Sequence, residues 1–322
     1  MSPYRVIFLI LIQLLTGYFT GKGQERYHEA VFDSIEVQTY TYSTKNGQNL
    51  DMDIYSPAFD KEEHRPVIIY VHGGAFMEGT RNSPEIVDFC RKLAGYGYVC
   101  TSISYRLSRK GTDSGFGCDC PATDKLNTFR SAVEDLQDAA FFLVQRRESL
   151  GIDPQKVILA GSSAGAETVL NTAYQPPMCY GLESGPVSYA GVISMAGAIP
   201  DTVKIYPESA VPSLLFHGTC DDLVPYASAS HRHCRKDQPG YLVLYGSWAI
   251  ADKLALLHVP YWLHTTCGGG HEIASKPMKD YFDVITSFCY EFVLLKKGKS
   301  CRTVVPGNQK LCSYQQFDFC NP

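Results

Sequence analysis

Residues 156–165 of this chain read KVILAGSSAG. The apolar run that ends at Ala160 is typical of a short buried strand, and Ala166 to Ala173 continues as a predicted helix. A strand, a Gly-x-Ser-x-Gly string and a helix form the layout of a nucleophile elbow. Its glycines allow a turn so tight that a Cβ would clash with the flanking strand or helix. We therefore predict that Ser163, the central serine, carries an exposed and reactive hydroxyl.

An upstream segment is a candidate for binding a substrate oxygen. Val67 to Val71 is predicted to be another buried strand, and residues 72–76, HGGAF, follow it directly. Because glycines let the backbone approach a ligand closely, Gly73 and Gly74 are predicted to aim N–H groups at that oxygen. The N–H of Ala164, next to the central serine, is predicted to be the other donor. These three residues form the candidate oxyanion hole, and a plain turn is the alternative interpretation.

A serine nucleophile needs a base and an acid, and both have candidates later in the chain. Two adjacent aspartates, Asp221 and Asp222, follow a predicted strand at residues 213–217. His217 belongs to that strand, and we interpret it as structural. His271 follows a run of three glycines after a further predicted strand, so it is the candidate base. Serine, acid and histidine in this chain order match one of the known triad arrangements.

Together these segments resemble the carboxylesterase and lipase group of α/β-hydrolases, over roughly Val67 to Phe292. Residues 217–225 match the string His-Gly-Thr-x-Asp-x-x-Val-Pro of that group, whose aspartate corresponds to Asp221 rather than to its neighbour. The resemblance implies a mostly parallel twisted sheet with helices on both faces and no large cap domain. It also implies that Ser163, Asp221 and His271 cleave a carboxylic ester through an acyl-enzyme, with no cofactor and no metal ion.

Tyr245-Gly246-Ser247, followed by a predicted helix, also resembles secreted bacterial feruloyl and acetyl-xylan esterases. The implied substrates are small esters or acetyl and feruloyl esters of a polysaccharide. One alternative is a peptidase of the prolyl-oligopeptidase type, which normally adds a propeller domain that 322 residues cannot also hold. The other is a non-catalytic, cholinesterase-like module, a class that keeps the fold and loses a triad residue.

Composition and the first residues indicate an exported enzyme. With 29 Lys and Arg against 33 Asp and Glu, the net charge is −4, which gives no reason to expect a nucleic-acid partner. Arg5 and the apolar run 6–15 predict a signal peptide over residues 1–23, and an uncleaved anchor is the alternative. The protein is therefore expected to be secreted or periplasmic, without a stable membrane anchor. Residues 24–299 are predicted to form the catalytic domain and 300–322 a cysteine-bearing tail.

The chain holds 12 cysteines, and an even number in an exported protein suggests disulfides. Cys220 and Cys267 each follow a strand that carries a predicted triad loop, so we predict a bond between them. Cys312 and Cys320 are predicted to close a small loop in the tail. The pair at 118 and 120 lacks a second pair with zinc spacing, so no metal site is predicted.

Local patterns predict the remaining elements. Asn46-Gly47 between two alternating runs is a hairpin signal. Residues 108–125 are predicted to form a loop on the side of the site. This loop is either a substrate-binding loop or a surface loop held by a disulfide. Besides the helices after Ser163 and Ser247, three further helices are predicted, at residues 84–95, 128–147 and 278–295.

Overall fold

The structure is a computed structural model that describes residues 26–175, 187–308 and 312–320. The predicted signal peptide therefore lies outside the described residues. No helix within these ranges is both long enough and apolar enough to cross a bilayer.

Strands and helices alternate along the described chain. The strands are β1 (Ile35–Lys45), β2 (Gln48–Pro57), β3 (Arg65–Val71), β4 (Val99–Ile103), β5 (Ile152–Ser162), β6 (Gly191–Met195), β7 (Ala198–Ile199), β8 (Ser213–Gly218), β9 (Ser228–Ser230), β10 (Val243–Gly246), β11 (Tyr261–Cys267) and β12 (Cys301–Pro306). The helices are α1 (Pro84–Gly95), α2 (Ala122–Gln145), α3 (Arg147–Leu150), α4 (Ala164–Tyr174), α5 (Ser247–Leu256), α6 (Pro277–Asp280) and α7 (Phe282–Ser287).

Nine of these strands form the central sheet, in the order β1-β2-β4-β3-β5-β6-β8-β11-β12. Neighbours pair in parallel except around β2, which runs antiparallel to both β1 and β4. A parallel sheet with helices between its strands is a doubly wound layout. The carboxyl ends of β3, β5, β8 and β11 therefore share one edge, where the predicted site residues follow.

The sheet is covered on both faces, and β3 shows why. Val67, Ile69 and Val71 pack into the same cluster as the buried faces of α2 and α4. Ile68 and Tyr70 point the other way and pack with α1 and α7. Successive side chains of a strand point to opposite faces, so a strand at the centre of such a sheet must be apolar at every position.

Several local predictions are confirmed and two helix bounds are wrong. The hairpin turn lies at Asn46-Gly47, where both φ angles are positive, and α1 spans the predicted residues. Helix α2 begins at Ala122 rather than 128, because its polar first turn precedes the apolar periodicity. The predicted helix 278–295 is broken at Tyr281, where φ is −131°, and a π-helix covers Phe288–Leu294 after α7. The ring of Tyr281 packs against His264, 4.3 Å between centroids.

The segment predicted to be a tail contributes to the sheet. Within residues 300–322, β12 pairs in parallel with β11 and forms the edge of the central sheet. The strand that precedes the histidine loop is therefore held from both sides.

Candidate active site

The turn between β5 and α4 holds Ser163 in a sparsely populated conformation, with φ 51° and ψ −121°. A Cβ on Gly161 would lie 2.4 Å from the carbonyl oxygen of Gly165. A Cβ on Gly165 would lie 2.0 Å from the carbonyl oxygen of Val71 on the neighbouring strand. Both positions therefore require glycine, and the turn presents Ser163 at the carboxyl edge of the sheet, as predicted.

The three predicted triad residues lie in hydrogen-bond contact. Ser163 Oγ is 2.8 Å from His271 Nε2, and His271 Nδ1 is 2.8 Å from Asp221 Oδ2. Asp221 is buried, and its other oxygen accepts the backbone N–H groups of Leu223 and Val224 at 2.9 Å. The arrangement can take the hydroxyl proton of Ser163 onto the imidazole while the carboxylate orients that ring.

A second histidine also reaches the acid. His217 Nε2 lies 3.3 Å from Asp221 Oδ2 and 3.1 Å from the carbonyl oxygen of Val224. A carboxylate and a carbonyl only accept, so Nε2 carries the hydrogen. Burial acts to raise the pKa of Asp221, but the hydrogen bonds from His217 and His271 outweigh it and hold that pKa well below its ordinary value. The acid is therefore kept ionised.

His217 was interpreted from the sequence as structural, and its contact with the acid was missed. Its other ring nitrogen lies 2.9 Å from Ser247 Oγ, at the start of α5. The signal that could have revealed the contact is the four-residue spacing between His217 and Asp221, across the turn that follows β8.

The candidate oxyanion hole borders Ser163. A Cβ on Gly73 would lie 3.1 Å from the Cβ of Ser163, so the backbone of Gly73 passes against the serine. Gly74 continues this turn with φ 114°, and a Cβ there would lie 2.1 Å from the carbonyl oxygen of Glu78. Ala164 is the first residue of α4, so its N–H has no acceptor within the helix. The positive end of the α4 dipole also favours negative charge at this point.

Side chains whose role the sequence analysis missed stabilise the Gly73-Gly74 turn. Burial lowers the pKa of His72, so the ring is neutral, and its Nδ1 donates to the carbonyl oxygen of Gly73 at 2.7 Å. The hydroxyl of Tyr105 donates to the carbonyl oxygen of His72 at 2.9 Å. On the elbow side, the hydroxyl of Tyr70 donates to Ser162 Oγ at 3.1 Å. These contacts fix the backbone on both sides of the candidate oxyanion hole.

A cavity of about 800 Å³ adjoins the turn. Its walls include Gly73, Gly74 and Ser162, with Tyr70 and Met278 among the less polar lining residues. The cavity shares the Gly73-Gly74 turn with the candidate oxyanion hole, whereas Ser163 and His271 are not among its lining residues.

The predicted pairing of the cysteines near the site is wrong. The structure joins Cys220 to Cys312 and Cys267 to Cys320. The sequence analysis instead paired Cys220 with Cys267 and Cys312 with Cys320. The reason is the path of the chain: after β12 it returns across the ends of β8 and β11, so each loop meets a cysteine of the C-terminal segment.

The third disulfide joins Cys118 to Cys234 and ties the loop before α2 to the segment after β9. Cys120 is buried and has no disulfide. Within the described ranges, no group of three or more His, Cys, Asp or Glu residues is arranged to hold a metal ion.

Aromatic contacts seat the C-terminal segment on the site. Tyr314 stacks on His233, with 3.7 Å between ring centroids, and Phe319 stacks on Trp248 at 5.1 Å. Phe317 packs edge-on against Tyr226 at 5.0 Å. Aromatic contacts and disulfides therefore both hold segment 312–320 over the loop that carries Asp221.

Comparisons with known proteins agree with this architecture. A family model described as BD-FAE matches residues 52–178, and one described as Phospholipase/Carboxylesterase matches residues 122–236. The chain is 24% identical over 151 residues to the non-reducing polyketide synthase Preu6 of Preussia isomera, a match that covers 45% of this chain and 6% of the synthase. It is 26% identical over 141 residues to an ethyl acetate hydrolase of Pseudomonas putida, covering 43% of this chain and 39% of the hydrolase. The matches therefore span well under half of these relatives.

Among solved structures, an esterase of the planctomycete Thermogutta terrifontis with butyrate bound superposes with a TM-score of 0.59. The superposition covers 80% of this chain and 94% of the esterase at 19% sequence identity. The mostly parallel sheet, the strand–turn–helix at Ser163 and this likeness together show that the chain has the α/β-hydrolase fold.

Proposed function

We propose that the protein is a serine esterase that uses Ser163, His271 and Asp221 as a catalytic triad. The observation that carries the proposal is the continuous path of 2.8 Å contacts from Ser163 Oγ through the His271 ring to Asp221. The family models and the ethyl acetate hydrolase support carboxylic esters as the substrate class.

In this mechanism, His271 takes the hydroxyl proton as Ser163 attacks the ester carbonyl. The N–H groups of Gly73, Gly74 and Ala164 bind the oxyanion, each contributing about 3 kcal/mol to its stabilisation. His271 then gives the proton to the departing alcohol, which leaves an acyl-enzyme. Water activated by His271 releases the acid. No step requires a cofactor.

We further propose export and a carbohydrate-linked substrate. Three disulfides support an oxidising compartment, so the protein would act as a secreted or periplasmic enzyme. The cavity that borders Gly73 and Gly74 has a volume of about 800 Å³, enough for a sugar ring, which is compatible with acetyl or feruloyl esters of a polysaccharide as substrates.

Hydrolysis of 4-nitrophenyl acetate, butyrate and octanoate tests the proposal. We expect Ser163→Ala to lower kcat/KM on the order of 10⁶-fold, because loss of the nucleophile leaves only binding and oxyanion stabilisation. Ser149→Ala is the matched control, since Ser149 is exposed and remote from the elbow.

Equal activity in the Ser163→Ala variant and the control would show that Ser163 is not the nucleophile. Absence of ester hydrolysis in the unaltered protein, combined with turnover of an aminoacyl-proline amide, would favour a peptidase instead.

A further inference from the structure

Four ionisable side chains that the proposed mechanism does not use lie together beside the site. Lys125, Glu167 and His231 are at most 1% exposed, and Arg232 is partly exposed. His231 Nε2 lies 3.7 Å from Glu167 Oε1. Groups of this kind are rarely buried unless they are paired, so the cluster calls for an explanation.

The cluster contacts both chain segments that carry the triad. Glu167 lies one turn into α4, and its N–H donates to the carbonyl oxygen of Ser163 at 2.9 Å. The N–H of Arg232 donates to the carbonyl oxygen of Leu223 at 2.9 Å, two residues after the triad acid. His233 Nε2, on the other side of Arg232, is 3.4 Å from the carbonyl oxygen of Asp221. Arg232 therefore lies between the elbow helix and the acid loop.

The two cations of the cluster, Arg232 and Lys125, have no direct ion-pair partner among the described residues. In the part of the chain that the structure describes, neither Arg232 nor Lys125 has a carboxylate oxygen within 4.0 Å. Lys125 Nζ donates to a single oxygen, the carbonyl of Gly240 at 2.8 Å. Arg232 Nε and Glu167 Oε1 are buried without a hydrogen-bond partner in the same part of the chain.

Burial also shifts the pKa of two members of the cluster. Burial raises the pKa of Glu167 to about 8, although Arg232 and Lys125 act against it. Burial lowers the pKa of Lys125 to about 8. Burial therefore favours the neutral form of Glu167, the acidic member of the cluster, and so weakens the counter-charge that it offers to Arg232 and Lys125.

The surrounding chain holds Arg232 in one place. Arg232 and His233 both have positive φ, 54° and 50°, a conformation that non-glycine residues keep only when their surroundings impose it. The disulfide between Cys118 and Cys234 anchors the chain at the residue that follows His233. Phe116 packs edge-on against His231 and also against Phe76, at 5.1 Å and 4.8 Å between centroids, and so links the cluster to the oxyanion turn.

We propose that this cluster is an anion subsite in which Arg232 binds a carboxylate group carried by the ester substrate. The inference rests on the proposed function for the reaction at Ser163. Arg232 makes the contact because it is the member that reaches solvent, and its guanidinium matches a carboxylate with two parallel hydrogen bonds. Lys125 adds positive charge behind it, and Glu167 and His231 support the arginine from the interior.

Two pairs of esters, each differing only in charge, test the subsite and locate the carboxylate. Monoethyl adipate against ethyl adipamate places the charge on the acyl side, and 4-acetoxybenzoate against 4-acetoxybenzamide places it on the alcohol side. In one pair we expect the unaltered protein to prefer the carboxylate over the amide at least about tenfold in kcat/KM. Arg232→Gln is expected to abolish most of that preference, and Arg232→Lys to keep part of it.

Arg235→Gln is the matched control. Arg235 lies three residues further on, is exposed and pairs with Asp237, so the preference should remain unchanged in this variant. Absence of a carboxylate preference in both pairs would overturn the subsite. A preference that survives Arg232→Gln would also overturn it.

Calorimetric titration of adipate and 4-hydroxybenzoate into the Ser163→Ala variant separates this inference from the esterase proposal. We expect binding of one anion to Ser163→Ala and a loss of at least about tenfold in affinity when Arg232→Gln is added. If neither these four esters nor the 4-nitrophenyl esters are hydrolysed but the anion binds through Arg232, the esterase proposal fails and the anion site alone stands. If the esters are hydrolysed but neither anion binds, the subsite fails alone.

Discussion

Asp221 accepts hydrogen bonds from two imidazole rings and two backbone amides. A carboxylate on the protein surface accepts such hydrogen bonds from water. Here burial removes the water, and the four donors replace it in fixed positions. The charge of Asp221 therefore depends on particular neighbours, and each can be removed by substitution.

We expect His217→Leu to raise the pKa of Asp221, because one of the two imidazole donors that lower it is lost. Ionised Asp221 contributes stability above its unfolded pKa, and that contribution is lost as pH falls through the lower folded pKa. Raising the folded pKa therefore moves the loss of stability on acidification to higher pH. At pH 7 we expect kcat/KM to fall about tenfold with little change in KM. The free energy of unfolding measured as a function of pH tests the shift, and steady-state kinetics at pH 7 test the fall in kcat/KM.

His217→Gln can place an amide N–H near Asp221, so it should recover part of the stability that His217→Leu loses at low pH. His264→Gln is the matched control, because His264 lies buried on β11 against Phe216 and Tyr281 rather than on Asp221. An unchanged pH dependence of the free energy of unfolding in His217→Leu would contradict the role of this histidine.

At the level of elements, the elbow depends on how closely α4 approaches β3. A Cβ on Gly165 would lie 2.0 Å from a backbone oxygen of β3, which has no freedom to move aside. We expect Gly165→Ala to lower the free energy of unfolding by about 3 kcal/mol or more, measured by urea denaturation.

Gly117→Ala is the control for that substitution, since nothing lies within 4 Å of a Cβ at Gly117 and its φ is not positive. Equal loss of stability in both variants would contradict the packing argument, because it would show a general cost of alanine rather than a clash with β3.

The elements around the site show which features a sequence reveals. The elbow, the Gly73-Gly74 turn and the loops that carry Asp221 and His271 were predicted, because each is a short string whose chemistry demands particular residues at fixed spacing. The start of α2 was placed six residues late, since apolar periodicity says little about a polar first turn. The break at Tyr281 was missed because the apolar pattern continues through it, while the ring of Tyr281 packs against a strand distant in the sequence.

At the level of the whole molecule, the disulfides could not be predicted. Cys312 and Cys320 are neighbours along the chain, but the segment that holds them crosses two loops, so each binds a distant cysteine. The pairing of these cysteines depends on the path of the chain after β12, and no local sequence pattern indicates that path. The cluster around Arg232 escaped prediction for the same reason, since its members are contributed by α2, α4 and a later loop.

We expect the double substitution Cys267→Ala and Cys320→Ala to lower the free energy of unfolding by about 2–4 kcal/mol, since the bond closes a loop of 53 residues. Because Cys267 lies just before the loop of His271, kcat should also fall, by about tenfold, while KM changes little. Thermal unfolding and steady-state kinetics measure the two effects.

Cys301→Ser is the control, as Cys301 is an exposed free thiol in the same C-terminal region. A double variant with unaltered kcat would contradict the idea that the C-terminal segment positions His271.

These cross-links also bear on the order of events during biosynthesis. Ser163, Asp221 and His271 all leave the ribosome before Cys312 and Cys320. A nascent chain, or a finished one still in a reducing compartment, therefore has every proposed catalytic side chain while its acid and histidine loops are not yet cross-linked. We therefore expect full esterase activity only after translation has passed residue 320 and both disulfides have formed. Esters inside the producing cell would then be hydrolysed more slowly than esters outside it.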